Sequence, residues 1–260
     1  MLTDIQHRLL AEEINKWIPF NGKRILEIGC GNGDLLKFIA KYYSPEFMVG
    51  IDPRLDIQWH IEESSGPNWK VTFGNAESLD FADNYFDAVI SIDTFEHIGD
   101  ITTTLCEAKR VLKPYGRFYT RFGPIWSSVA GHHWITRHNW NEKHLALIPP
   151  WGHLYMSEIE LRAHLDSLEA DESIKERALN YIYHINTINR KSKSEFVSAI
   201  HKSEMAIRLY SELLRFSRFS IPGQNELTPE ITERIIAAGY LLSDVGVMGM
   251  KICMEKLAAC

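Results

Sequence analysis

The chain is short of cysteine, short of positive charge, and without any long apolar run. Its four cysteines, Cys30, Cys106, Cys253 and Cys260, are scattered and make no Cys-x-x-Cys pair, which argues against a disulfide framework and against a cysteine-based zinc site. Such thiols suit a reducing compartment, and a cytoplasmic location is expected. No stretch approaches the ~20 apolar residues of a membrane span. Residues 1–17 mix acidic and amide side chains with apolar ones, unlike the apolar core of a signal peptide. Lys and Arg number 28 against 34 Asp and Glu, a formal charge of −6, and there is no basic or disordered tail. A large nucleic-acid footprint needs clustered cations, so neither nucleic acid nor membrane is an expected partner. What is present, 45% apolar and 24% charged residues over 260 positions, suffices for one α/β domain with a sizeable core and a further subdomain.

The most informative stretch is Arg24 to Leu36. Ile25, Leu26 and Ile28 form a short apolar run of the doubly buried parallel-strand kind, cut off by three alternating glycines, Gly29, Gly31 and Gly33. Glycines there let the main chain turn tightly and approach a ligand, and Asn32 or Asp34 can cap a helix beginning at Leu35. The dinucleotide fingerprint would place glycine at position 34, which is Asp. Glu27, two residues before Gly29, would repel a pyrophosphate and attract a cation. Cys30, inside the loop, is read as a small space-filling residue. A second apolar run, Phe47 to Ile51, ends at Asp52, at the usual distance for an acidic group that hydrogen-bonds a ribose.

With its apolar strand, acidic residue and Gly-x-Gly-x-Gly, this stretch resembles the first motif of the class I S-adenosylmethionine-dependent methyltransferases. The resemblance implies S-adenosylmethionine as cofactor, whose sulfonium and ammonium suit Glu27, and S-adenosylhomocysteine as product. Gly29, Gly31 and Gly33 would cradle it and Asp52 would take its ribose. Gly74-Asn75-Ala76 looks like the segment that reads the adenine edge, by the Asn75 side chain and the Ala76 amide. Asp93, after the apolar run Phe86 to Ile92, would help hold the methionine part, with Glu96 and His97 nearby. Lys113-Pro114-Tyr115-Gly116 is similar to the family's turn into a fifth strand, Phe118 to Phe122. The Asp/Asn-Pro-Pro-Tyr of base amino-methylation is absent. The resemblance covers Arg24 to about Phe122.

The expected fold is therefore α/β, a three-layer sandwich with a mostly parallel seven-stranded sheet of the Rossmann-like methyltransferase type and a helical lid insertion. Residues 1–122 are assigned to the cofactor-binding half, 123–190 to the lid, and 191–260 to the rest of the sheet. Ser157 to Leu168 and residues 194–200, with Ser at the cap, read as helices. Ala206 to Phe216 fits a strand or a helix about equally, and Val247 to Glu255 reads as the final antiparallel strand.

The stretch 123–190 concentrates His132, His133, His138, His144 and His153 with Trp126, Trp134, Trp140 and Trp151. Aromatic walls with a few polar groups describe a pocket for a mostly apolar small molecule. Three readings of the histidines stand: one is a general base for an acceptor hydroxyl, with His132 or His133 ahead of His153; they bind a metal; or they only hold the loop in place. Adjacent His132 and His133 point apart and no carboxylate joins them at ligand spacing, so no metal is expected. Pro149-Pro150-Trp151-Gly152-His153-Leu154 is similar to a stretch in bacterial small-molecule methyltransferases, some of which methylate oxygen. It implies a hydroxyl of a natural-product-like or carrier-bound acceptor. The rivals are a nitrogen or carbon acceptor, a non-catalytic cofactor-binding module, and a nicotinamide oxidoreductase.

Overall fold

The computed structural model describes residues 4–54, 65–134, 147–214 and 226–258. Among them, eight strands make one sheet: β1 (Arg24–Ile28), β2 (Phe47–Asp52), β3 (Ser65–Gly66), β4 (Trp69–Phe73), β5 (Phe86–Ile92), β6 (Leu112–Phe122), β7 (Ala206–Leu213) and β8 (Gly249–Glu255). Their spatial order is β3-β4-β2-β1-β5-β6-β8-β7. The central strands β1, β2 and β5 are buried on both faces over nearly their whole length, as their unbroken apolar runs require. β1 pairs in parallel with β2 and β5, and β4 and β6 extend the parallel part. At the other side, Tyr115 N–H donates to Lys256 O and Lys256 N–H to Gly116 O. The start of β6 thus meets the end of β8, which makes β8 antiparallel. The eighth strand, one more than expected, is the two-residue β3, antiparallel on the β4 edge.

Helices α1 (Asp4–Trp17), α2 (Asp34–Tyr42) and α3 (Ile101–Val111) supply the layers. Leu10 and Ile14 of α1 and Leu36 and Ile39 of α2 join Ile25, Met48, Ile90 and Tyr119 of the sheet in one buried cluster, each large side chain contributing roughly 1.5–3 kcal/mol of burial. From β1 the chain runs outward to β2 and β4, then returns to the other side of β1 as β5. The strand order reverses between β1 and β5, and the carboxyl ends of those two strands are where an open α/β sheet offers a crevice.

The chain forms two compact units: one comprises Met1–Phe122, Ser198–Ser211 and Lys251–Cys260, the other Gly123–Val197 and Glu212–Met250. The stretch 191–260, assigned above to the sheet, is thus shared between them. The second unit contains α4 (Gly152–Tyr155), α5 (Glu158–Ser167), α6 (Glu172–Leu179) with a π turn at Asn180–His184, most of no strand, and the short helices Pro229–Ala237 and Leu242–Val245. Ser157 and Glu160 close a capping box on α5, which is why that helix is legible in the sequence. One apolar cluster gathers Trp134, Leu161, Leu165 and Tyr181, another Trp126, Trp151, Leu154 and Val245. The helix expected at 194–200 spans Lys193–Lys202, and Ser192 rather than Ser194 exchanges hydrogen bonds with Glu195 at its start.

Candidate functional site

The loop between β1 and α2 is built on left-handed backbone. Gly29, Gly31 and Gly33 have φ of 74°, 54° and 74°, a region only glycine enters freely. A side chain on Gly29 would collide with Thr94 and one on Gly33 with Val71, whereas one on Gly31 would meet nothing within 4 Å. Two of the glycines therefore serve packing, and the middle one leaves open space. The helix cap differs from the sequence reading: Gly33 is itself the N-cap of α2 and no side chain caps it, because Asp34 already lies in the first turn.

Glu27 is 3% exposed, and its Oε2 has no hydrogen-bond partner. Burial, and after it the neighbouring carboxylates Asp34 and Asp52, push its pKa up to about 8. Asp52, at the end of β2, is 2% exposed yet behaves oppositely. Burial raises it, but the side-chain bonds, main-chain N–H and charge of Arg54, with the Gly31 N–H, hold it below the ordinary carboxylate range. Its Oδ2 accepts from Gly31 N at 3.0 Å and its Oδ1 from Arg54 N at 3.0 Å. The Cys30 thiol is buried and pushed strongly upward, first by burial and then by Glu27 and Asp52, so it packs as a neutral group. Gly29 N–H and Cys30 N–H both reach Ile51 O, which ties the loop to the end of β2.

At the end of β5, Asp93 is exposed with φ 49° and donates its N–H to Arg121 O. Thr94 Oγ1 lies 2.9 Å from Ile92 O and 3.3 Å from Gly29 O. Thr94 and Arg54 are the two residues here that the sequence reading did not single out. The Asp52-Pro53-Arg54 turn was a signal for the second. Asn75 is exposed, and its Oδ1 accepts from Glu77 N at 2.9 Å. An amide oxygen has two lone pairs, so one remains for a ligand. Ala76 is half-buried beside it. Phe95–His97 is a single helical turn in which His97 is exposed.

In the second unit His132, His133 and His153 are all buried. His133 Nε2 is 2.6 Å from Pro124 O and His153 Nε2 is 2.8 Å from Trp126 O, and a carbonyl fixes each as the protonated nitrogen. Trp134 N–H donates to His132 Nδ1 at 3.1 Å. The rings of His132 and His153 meet edge to face at 5.0 Å. His153 Nδ1 is buried with no hydrogen-bond partner. Burial lowers His153 to about 4 despite the Trp126 bond, and holds His132 well below the usual imidazole value, with His153 and His133 adding to it. Trp126, Trp134 and Trp151 are buried in the unit's apolar clusters. Trp126 donates its indole N–H to Tyr240 Oη, and Trp151 to Val245 O. His138, His144 and Trp140 lie outside the described residues.

Among the described residues no group of three or more His, Cys, Asp or Glu could hold a metal ion, and no helix is long and apolar enough to cross a membrane. The carboxyl end of β1 thus offers an unpartnered buried carboxyl, open space at Gly31 and an ionised acceptor at Asp52. That donor set fits a cationic adenosine derivative and fits a pyrophosphate poorly.

Comparison with known proteins agrees. Residues 26–120 match a family described as a methyltransferase domain. A fatty-acid O-methyltransferase of Mycolicibacterium smegmatis is 33% identical over 40% of this chain and 38% of its own length. A ubiquinone biosynthesis O-methyltransferase of Azorhizobium caulinodans is 32% identical over 44% of this chain and 45% of its own. The chain thus spans less than half of these relatives. The crystal structure of an S-adenosylmethionine-dependent methyltransferase from Mesorhizobium loti superposes with a TM-score of 0.56 at 14% identity, covering 94% of this chain and 96% of that one. The glycine loop and the strand order lie within or around the stretch 26–120 that is similar to a methyltransferase domain, and the fold is that of the solved methyltransferase.

Proposed function

We propose that this chain transfers a methyl group from S-adenosylmethionine to a hydroxyl oxygen of a small-molecule acceptor, leaving S-adenosylhomocysteine. The observation that carries the reading is Glu27, a buried carboxyl with one oxygen unpartnered two residues before a loop with open space at Gly31. A buried carboxyl of that kind is costly unless a cation arrives to meet it. Glu27 then faces the positive part of the cofactor, Gly29, Gly31 and Gly33 let the main chain come close, Asp52 accepts from the ribose, Asn75 and Ala76 read the adenine, and Asp93 orients the amino-acid part. When bound, the cofactor supplies an electrophilic methyl group.

What the chain adds is mostly alignment of acceptor and methyl group, with a base needed only for a hydroxyl of high pKa. Of His132, His133 and His153, the last fits the base best. Its Nε2–H is held by Trp126 O, so the unpartnered Nδ1 lone pair is the one that can take a proton. His132 Nδ1 and His133 Nε2 are engaged with the main chain and hold the segment in shape. Oxygen is favoured as the acceptor atom because both relatives above are named O-methyltransferases; the acceptor is apolar, free or carried as a thioester on a carrier protein.

The test has two stages. S-adenosylhomocysteine should raise the melting temperature and NAD should not, since only a ligand that prefers the native state does so. Transfer of a labelled methyl group should then appear with fatty acids or phenols in a panel that includes amines and carrier-bound acyl chains. A protein stabilised by NAD alone would sink the reading.

A further inference from the structure

The acceptor positions on Asp52 are all taken. A carboxylate offers about four lone-pair sites. Two are filled by main-chain N–H groups, from Gly31 to Oδ2 and from Arg54 to Oδ1, both at 3.0 Å. The other two are filled by the Arg54 side chain, Nε to Oδ1 at 3.0 Å and Nη2 to Oδ2 at 3.1 Å. The first pair is fixed by the turn at Pro53 and by the glycine loop. The second pair is movable: the Arg54 side chain is 55% exposed, while that of Asp52 is 3% exposed.

An adenosine presents two vicinal hydroxyls, and each donates one hydrogen. Two donors are what the guanidinium contributes, so the exchange leaves the buried carboxylate fully bonded in both states. A carboxylate that lost Arg54 with nothing in return would be a buried anion with half its bonds missing, a costly arrangement. The guanidinium, by contrast, sits on a side chain that is more than half exposed, and water can replace the bonds it gives up to Asp52.

We propose that Arg54 is a place-holder for the ribose diol: in the ligand-free protein its guanidinium occupies the two positions on Asp52 that the 2′- and 3′-hydroxyls take, and cofactor binding displaces it. The inference rests on the reading of Asp52 as the ribose acceptor. Arg54 therefore sets affinity by competition, and it keeps Asp52 ionised and aimed while the cleft is empty.

Competition makes an unusual prediction: deleting a cation at the cofactor cleft should tighten binding. Arg54→Ala should bind S-adenosylhomocysteine about three- to tenfold more tightly than the wild type, the scale of one partly exposed bidentate ion pair. Arg54→Lys, whose ammonium cannot fork across both oxygens, should fall between. Adenosine should show the same tightening by calorimetry. 2′,3′-Dideoxyadenosine, with no hydroxyls to displace the guanidinium, should bind wild type and Arg54→Ala alike. In 15N-labelled wild-type protein the Arg54 Nε–H should be protected from exchange without ligand and lose that protection when S-adenosylhomocysteine saturates the site.

If the wild type binds S-adenosylhomocysteine but Arg54→Ala binds it equally or more weakly, the place-holder is overturned and the methyltransferase reading stands. Equal tightening for the dideoxy analogue, or an Arg54 Nε–H still protected in the complex, overturns it too. A wild type that binds no S-adenosylhomocysteine overturns both.

Discussion

Glu27→Gln should make the protein more stable and a poorer binder at once. The unfolded chain ionises this carboxyl near its ordinary value of 4.5, whereas the folded one holds its proton up to about 8. Between those values the folded state binds one proton more than the unfolded, so its stability falls as pH rises from 4.5, and the loss is complete above about 8. Glutamine keeps the shape without the titration. At ~1.4 kcal/mol per pH unit, the variant should exceed the wild type by under about 1 kcal/mol at pH 5, about 3 at pH 7 and about 5 at pH 9. For a chain of this size ~3 kcal/mol corresponds to a melting temperature higher by ~6–12 °C. Affinity for S-adenosylhomocysteine should meanwhile fall about tenfold or more, the charge that meets its ammonium having gone. Denaturant titrations of both proteins at the three pH values, with calorimetric titration of the ligand, measure both effects. Two stability profiles that run parallel from pH 5 to 9 would refute the reasoning, because a pH-independent difference cannot come from a carboxyl that titrates within the interval.

Other expectations follow from the same geometry. His153→Gln should lower turnover about 10²-fold if the ring is the base, with S-adenosylhomocysteine affinity changed less than about twofold; unchanged turnover removes the base from the proposal. Because folding lowers His153 from 6.5 to about 4, the wild type loses stability as pH drops through that window, and denaturant midpoints at pH 4.5 and 7 should show His153→Gln losing less. Gly31→Ala should fold at a cost of about 1 kcal/mol for its φ of 54° and bind the cofactor more weakly. Gly29→Ala should be the more unstable of the two, since its Cβ also collides with Thr94, and a Gly29→Ala, Thr94→Ala double variant should recover part of the difference in melting temperature.

The parallel strands, the glycine loop and the two carboxyls were legible because each follows from a local rule: unbroken apolar runs for doubly buried strands, glycine for left-handed turns, an acid at a strand end. What stayed hidden depended on partners far away or on direction. The turn expected at Lys113 to Gly116 is a looped-out stretch within β6: Leu112 pairs with Phe86 and Arg117 with Ala88, leaving four residues against one, with Tyr115 at φ 64°. β7 was ambiguous because, as an edge strand, it alternates only weakly between half-buried and exposed. Composition revealed the bulk of the tryptophans but not where their indoles point, and internal acceptors such as Val245 O draw Trp151 into a core. Imidazoles carry no label for base or clamp until the carbonyl each one meets is known.

The two buried carboxyls of the first unit show why the loop suits a cation and not a neutral ligand. Glu27 and Asp52 have nearly equal exposure, yet one is held neutral and the other ionised. Two titratable groups whose surroundings push them apart divide the work. Asp52 is already ionised at neutral pH, so it has no proton to give up when a ligand arrives. At neutral pH, below its value of about 8, Glu27 keeps its proton until a positive charge reaches it, so a cationic ligand should drive out one proton and a neutral one should not. Titration in buffers of different ionisation enthalpy separates the cases: S-adenosylhomocysteine should release close to one proton at pH 7 and adenosine close to none. Equal release by both would place the titrating group at the ribose and take the cation-binding role away from Glu27.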